Sequence, residues 1–130
     1  MVMLDGIDHV VLTVNDIDAT CAFYKTVLGM EEITFGQGRK ALRFGAQKIN
    51  LHQRGKEFEP KALRPMPGAI DVCFVTSTPL EEVLRHLAEH QVKIEQGPVE
   101  RDGATAKLRS VYIRDPDGNL LEISNELPRR

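Results

Sequence analysis

Four side chains in this 130-residue sequence combine into a chemistry worth testing: His9, His52, Asp71 and Glu122. Each sits in a stretch that alternates as a β-strand does, with successive side chains on opposite faces. Residues 7–14, IDHVVLTV, put Val10, Leu12 and Val14 on one face and His9, Val11 and Thr13 on the other. Residues 48–53, KINLHQ, set Ile49 and Leu51 against Asn50 and His52. Residues 69–76, AIDVCFVT, set Val72, Phe74 and Thr76 against Asp71, Cys73 and Val75. In LLEIS, Leu121 and Ile123 oppose Leu120, Glu122 and Ser124. A carboxylate in mid-strand needs a partner, water or a metal. Two imidazoles and two carboxylates converging in one cup would suit a divalent transition metal. A plainer alternative is a polar cluster, with His52 bonded to Asp71 and Glu122 paired with Arg43 or Arg114.

The elements that must carry these groups follow in order. Asn15 or Asp16 can cap a helix that runs to about Leu28. Its apolar stripe is Ile17, Cys21, Tyr24, Val27 and Leu28, and Gly29 stands at its end. Residues 31–35 and 40–44 read as strands around the turn Gly36-Gln37-Gly38. Residues 55–68 are charged and contain Pro60, Pro65 and Pro67, as a connector would. Thr78, Pro79 and Glu81 spell a capping box for a second helix with Leu80, Val83, Leu84 and Leu87 at helical spacing. Residues 92–95 read as a short strand and 100–108 as a loop or hairpin tip. Residues 110–124 read as a hairpin turning at Asp115-Pro116-Asp117-Gly118.

The halves repeat one order: strand, helix, three short strands. A shift of 62 (71 − 9) places Gly68-Ala69-Ile70-Asp71 on Gly6-Ile7-Asp8-His9. A shift of 70 (122 − 52) places the Glu122 strand on the His52 strand. On this reading the four polar groups fill two pairs of equivalent positions. Module one covers about 5–54, a linker about 55–68 and module two about 69–126 of a single domain, 1–130.

Composition narrows the class. With 42% hydrophobic and 28% charged residues, the chain reads as a globular protein rather than a disordered one. A formal net charge of −2 argues against a general nucleic-acid binder. No apolar run approaches the roughly 20 residues of a membrane span. Cys21 and Cys73 show no CxxC pairing, so free thiols in the cytoplasm are expected. Thr13, Asn50 and Ser124 could bond to a small-molecule substrate. Arg39, Arg101 and Arg109 could meet an anionic one.

The opening IDHVVLTVNDIDATCAFYKTVLGM, the closing DPDGNLLEIS and the order of the repeats resemble the vicinal oxygen chelate superfamily. That superfamily holds glyoxalase I, fosfomycin- and bleomycin-resistance proteins, methylmalonyl-CoA epimerase and extradiol dioxygenases. GRKALRFGAQKINLHQ and EFEPKA also resemble its glyoxalase-domain-containing protein 5 subgroup.

The resemblance implies an α+β fold of paired βαβββ modules, a U-shaped mixed sheet with a metal in its concavity, and homodimers. It implies metal ligands at His9, His52, Asp71 and Glu122, the last also a proton-moving base as in glyoxalase I. His9 and Glu122 match the family pattern directly. Glyoxalase I has a carboxylate where this chain has His52 and a histidine where it has Asp71, so Asp71 is either a fourth ligand or an acceptor behind one. The expected activity is that of a metal-dependent lyase or isomerase, with Zn, Ni, Mn, Co or Fe as the ion. Two other activities are implied as alternatives: an Fe(II) extradiol-type dioxygenase, and a binding protein without chemistry of the bleomycin-resistance kind.

Overall fold

The computed structural model describes residues 1–128. They form two compact units, Met1–Pro67 and, from Gly68 onward, a second. No helix among the described residues is long and apolar enough to cross a membrane.

The first unit runs β1 (His9–Val14), α1 (Ile17–Leu28), β2 (Glu31–Phe35), β3 (Arg39–Phe44) and β4 (Gln47–Gln53). Its sheet has the order β1-β4-β3-β2, with β1 parallel to β4 and the other pairs antiparallel. α1 starts where Asp16 accepts a hydrogen bond from Ala19 N and stops at Gly29, which takes a left-handed φ of 67°. Cys21, Tyr24 and Val27 on α1 and Leu12, Val14, Leu42, Ile49 and Leu51 on the strands are buried. The helix therefore covers the apolar face that alternation marks out, except at Val10, which stays exposed at the start of β1, and His9, Thr13, Asn50 and His52 occupy the other.

The second unit repeats the plan: β5 (Asp71–Val75), α2 (Leu80–Glu89), β6 (Gln96–Asp102), β7 (Lys107–Arg114) and β8 (Leu120–Glu126), in the order β5-β8-β7-β6. Val111, Ile113, Leu121 and Ile123 are buried on one face, as are Leu80 and Leu87 of α2. The turn between β7 and β8 is held by Asp115, whose Oδ1 accepts from Asp117 N and Asn119 N at 2.9 Å each.

Two local expectations are corrected. The capping box does not form: the residue before α2 is Pro79, with no side-chain cap. Asn125 of β8 does the work instead, accepting from Leu80 N at 2.8 Å and donating to the carbonyls of Thr76 and Thr78. The side chain of Thr78 is not needed once a long-range amide fills its place. The strand expected at 92–95 lies later, as β6, and the hairpin tip narrows to residues 103–106. Polar Gln96–Asp102 pairs because β7 offers an open edge. Gly97 makes the close approach possible: a Cβ there would lie 2.4 Å from Ser110 O.

Candidate functional site

The first unit's polar face brings His52 and Asn50 together on β4. Opposite them in the β1 ladder stand Thr13 and Val11, while His9 is paired with Lys48. His52 is 4% exposed. Burial, with the Arg39 guanidinium second, holds its pKa below the ordinary value, against a smaller pull from Glu57. His52 is therefore neutral at physiological pH, the form that ligates a metal. His9 is exposed, and its Nδ1 lies 2.9 Å from Asp8 Oδ1, which orients the ring.

The second unit gathers its polar groups around Glu122. Glu122 is half-buried, paired with Cys73 on one side and Tyr112 on the other. Ser110 Oγ donates to Glu122 Oε2 at 2.6 Å and lies 2.6 Å from Ser124 Oγ. Ser124 in turn lies 3.4 Å from Cys73 Sγ. Burial pushes the Cys73 thiol up, with neighbouring Glu122 adding to the effect and the Ser124 bond opposing it. Asp71 opens β5 and is exposed. Among the described residues no three His, Cys, Asp or Glu side chains gather as a metal cluster.

The two ladders correct the repeat. A shift of 62 carries Val11 to Cys73 (73 − 11). Val11 is paired with Asn50 and Cys73 with Glu122. Asn50 is thus the counterpart of Glu122 (122 − 50 = 72), and Ser124 that of His52 (124 − 52 = 72). The shift of 70 is one pair out of register. An offset of two residues keeps every side chain on its face, so alternation alone cannot see it.

The expected substrate contacts divide. Thr13 and Asn50 are buried on the polar face, and Asn50 Oδ1 has no hydrogen-bond partner among the described residues. Arg39 packs over Phe58, its guanidinium carbon 4.1 Å from the ring centroid. Arg101 Nε donates to Tyr112 OH at 3.0 Å on the Glu122 side of the second sheet. Arg109 is different. It stands opposite Asn125, on the face that meets α2, and pairs with Glu81 of that helix at 2.7 Å. One step along a strand reverses the face, so Arg109 is a tie between helix and sheet. The proposed pairings of Glu122 with Arg43 or Arg114 do not form either: Arg43 pairs with Glu31 and Arg114 with Glu95. Ser110 and Phe58 are additions that sequence reasoning missed. Ser110 was visible only as a strand residue, and Phe58 lies in the linker, where no periodicity marks it.

Comparison with known proteins places these faces in context. Residues 6–123 match the model of the Glyoxalase/Bleomycin resistance protein/Dioxygenase superfamily. The chain is 60% identical over 122 residues to the virulence protein STM3117 of Salmonella typhimurium, covering 94% of this chain and 85% of that protein. The crystal structure of STM3117 superposes with a TM-score of 0.96, covering 97% of this chain and 100% of that one. The chain is 56% identical over 120 residues to the glyoxalase domain-containing protein RDO1 of Mycosarcoma maydis, covering 92% of this chain and 68% of that one. A fosfomycin resistance protein, FosX of Listeria monocytogenes, solved with Mn(II) and sulfate, shares the fold at a TM-score of 0.66 and 22% identity, covering 96% and 93%. The likeness is shown at the level of the superfamily. Two βαβββ units, each with its polar groups on the sheet face away from its helix, and a family match across most of the sequence lead to one statement: the chain belongs to the glyoxalase/bleomycin resistance/dioxygenase superfamily.

Proposed function

We propose that the chain is a divalent-metal-dependent lyase or isomerase of the glyoxalase type, acting on a small substrate with adjacent oxygens. The observation that carries the reading is His52: a buried imidazole kept neutral on a polar sheet face. The donor types fit a transition metal, with two imidazoles in the first unit and two carboxylates in the second. No three of them gather among the described residues of a single chain, so His9, His52 and Glu122 would hold the ion once the homodimer brings them together, with Asp71 as a fourth donor or an acceptor behind one. When bound, the ion supplies Lewis-acid polarisation of the substrate oxygens.

The chain's own groups do the rest. Ser110 and Ser124 both address Glu122 Oε2, which fixes the carboxylate and leaves Oε1 to take and return a proton. Thr13, Asn50, Arg39 and Arg101 orient the substrate. Two Cys without a disulfide suit a cytoplasmic setting. The active form is a homodimer, a reading supported by exposed apolar residues on the edge strands: Val10 and Val11 on β1 and Val75 on β5.

The test is metal content per chain in protein purified without chelator or affinity metal, for wild type, His52→Ala and Glu122→Ala. Near-stoichiometric metal that disappears in both variants is expected. Zn, Ni, Co or Mn would direct the assay to lyase and isomerase substrates; Fe would direct it to oxygen chemistry. Metal-free wild type that also refuses added ions would sink the reading.

A further inference from the structure

The polar face of the first sheet carries two cations that the proposed proton chemistry leaves unused. Arg39 opens β3 and Lys48 lies in β4, and both rest on the ring of Phe35. The Arg39 guanidinium carbon is 5.5 Å from its centroid and Lys48 Nζ is 4.0 Å from it. Phe58 covers Arg39 at 4.1 Å and meets the His52 ring edge-on, 5.4 Å between centroids. Nearby basic residues are engaged: Lys40 by Glu32, Arg43 by Glu31 and Lys61 by Glu59. Arg39 and Lys48 have no carboxylate within ion-pair distance among the described residues.

A second observation stands beside the first. The β3–β4 ladder sets Lys40 opposite Leu51 and Ala41 opposite Asn50. Arg39 therefore lies one step further on, beside His52, and Asn50 falls between Lys48 and His52 on the same face. Asn50 is 9% exposed, and its Oδ1 accepts no hydrogen bond among the described residues. A buried acceptor left unpaired is unfavourable, and a donor on a ligand removes that penalty. Two positive charges on one ring repel each other, and an anion within reach of both is attracted by each.

We propose that Arg39 and Lys48 form a subsite for the oxyanion group, carboxylate or phosphoryl, of a small hydroxylated ligand whose hydroxyl donates to Asn50 Oδ1. The inference rests on reading this face as the substrate side, but every part of it belongs to the first unit. Arg39 supplies a planar fork to two anion oxygens, and Lys48 a point charge. Phe35 and Phe58 hold the two cations in place without neutralising them.

The test is titration at constant ionic strength with acetate, glycolate and inorganic phosphate, followed by amide chemical shifts, before and after metal removal by chelator and dialysis. Saturable shifts confined to residues near Arg39, Lys48 and Asn50 are expected. Glycolate should bind at least about threefold more tightly than acetate, and Asn50→Ala should abolish that difference. Arg39→Gln and Lys48→Gln should each weaken binding about tenfold or more, consistent with loss of a charged hydrogen bond. Arg43→Gln, which removes a charge already paired with Glu31, should not. Arg39→Lys keeps charge and stem, and serves if Arg39→Gln does not fold; a loss of about threefold is expected for it. Preference for phosphate over glycolate identifies a phosphoryl ligand, and the reverse a carboxylate. No saturable binding of any probe, or equal loss in Arg43→Gln, overturns the subsite. Probes that bind to a chain that takes no metal sink the enzyme reading alone. Metal bound with no anion binding sinks this one alone.

Discussion

Ser110 Oγ donates to Glu122 Oε2 at 2.6 Å from a position with no solvent exposure. The two residues are diagonal neighbours across the β7–β8 ladder, where Ser110 is paired with Ser124. The contact holds one oxygen of the proposed base and leaves the other for chemistry. Ser110→Ala is therefore expected to lower metal affinity by about 10- to 100-fold, the usual effect of losing a hydrogen bond behind a ligand. Ser110→Thr keeps the hydroxyl and should restore most of it. Competition with a chromophoric chelator reads both variants, and unchanged affinity in Ser110→Ala would show that Glu122 needs no such support.

Asn125 should matter more to stability than Thr78, although the sequence suggests the opposite. Its amide serves Leu80 N, Thr76 O and Thr78 O at once and ties the start of α2 to β8. Asn125→Ala is expected to cost about 2–3 kcal/mol, above the usual effect of losing a cap alone. Thr78→Ala should cost less than about 0.5 kcal/mol. Urea unfolding of both variants decides it; equal losses would return the cap to Thr78.

Much of this was legible because alternation and capping are local. The faces of β1, β4, β5 and β8, the span of α1 with Asp16 and Gly29, and the Asp115 turn all follow from side chains within a few residues of one another. Register is not local, which is why the Asn50–Glu122 equivalence escaped a pattern that repeats every two residues. Asn125 acts across 45 residues on Leu80, and Phe58 reaches Arg39 and His52 from a proline-rich loop. Neither leaves a periodic trace. Gln96–Asp102 pairs as a strand despite its polar sequence because an edge strand needs few apolar residues.

The two thiols should react at very different rates. Cys21 is 3% exposed, and burial, with Glu32 adding to it, pushes its pKa from 9.0 up to about 11. At pH 8 its thiolate fraction is then about 100-fold below that of an ordinary thiol, before burial slows access further. Cys73 is exposed. A disulfide reagent is expected to modify one thiol in native protein and the second only in denaturant. Cys73→Ser should remove the fast phase. Two fast thiols in native wild type would contradict the burial of Cys21 against its sheet.

The depressed pKa of His52 makes metal-free stability depend on pH in one direction. The folded chain holds this imidazole neutral, while the unfolded chain protonates it near the ordinary value of 6.5. Below that pH the unfolded state binds the extra proton and gains free energy. The stabilising contribution is complete above 6.5 and falls as pH drops from there towards the lower folded value. The slope cannot exceed about 1.4 kcal/mol per pH unit for one proton. Glu32 and Glu95 have folded values held below 4.5 by their ion pairs, so their contribution fades only in more acid solution. Urea unfolding of chelator-treated protein between about pH 5 and 7.5 should show the fall in wild type, and His52→Gln should flatten it. An identical slope in the variant would place the titrating group elsewhere and remove His52 as the buried neutral imidazole on which the metal reading depends.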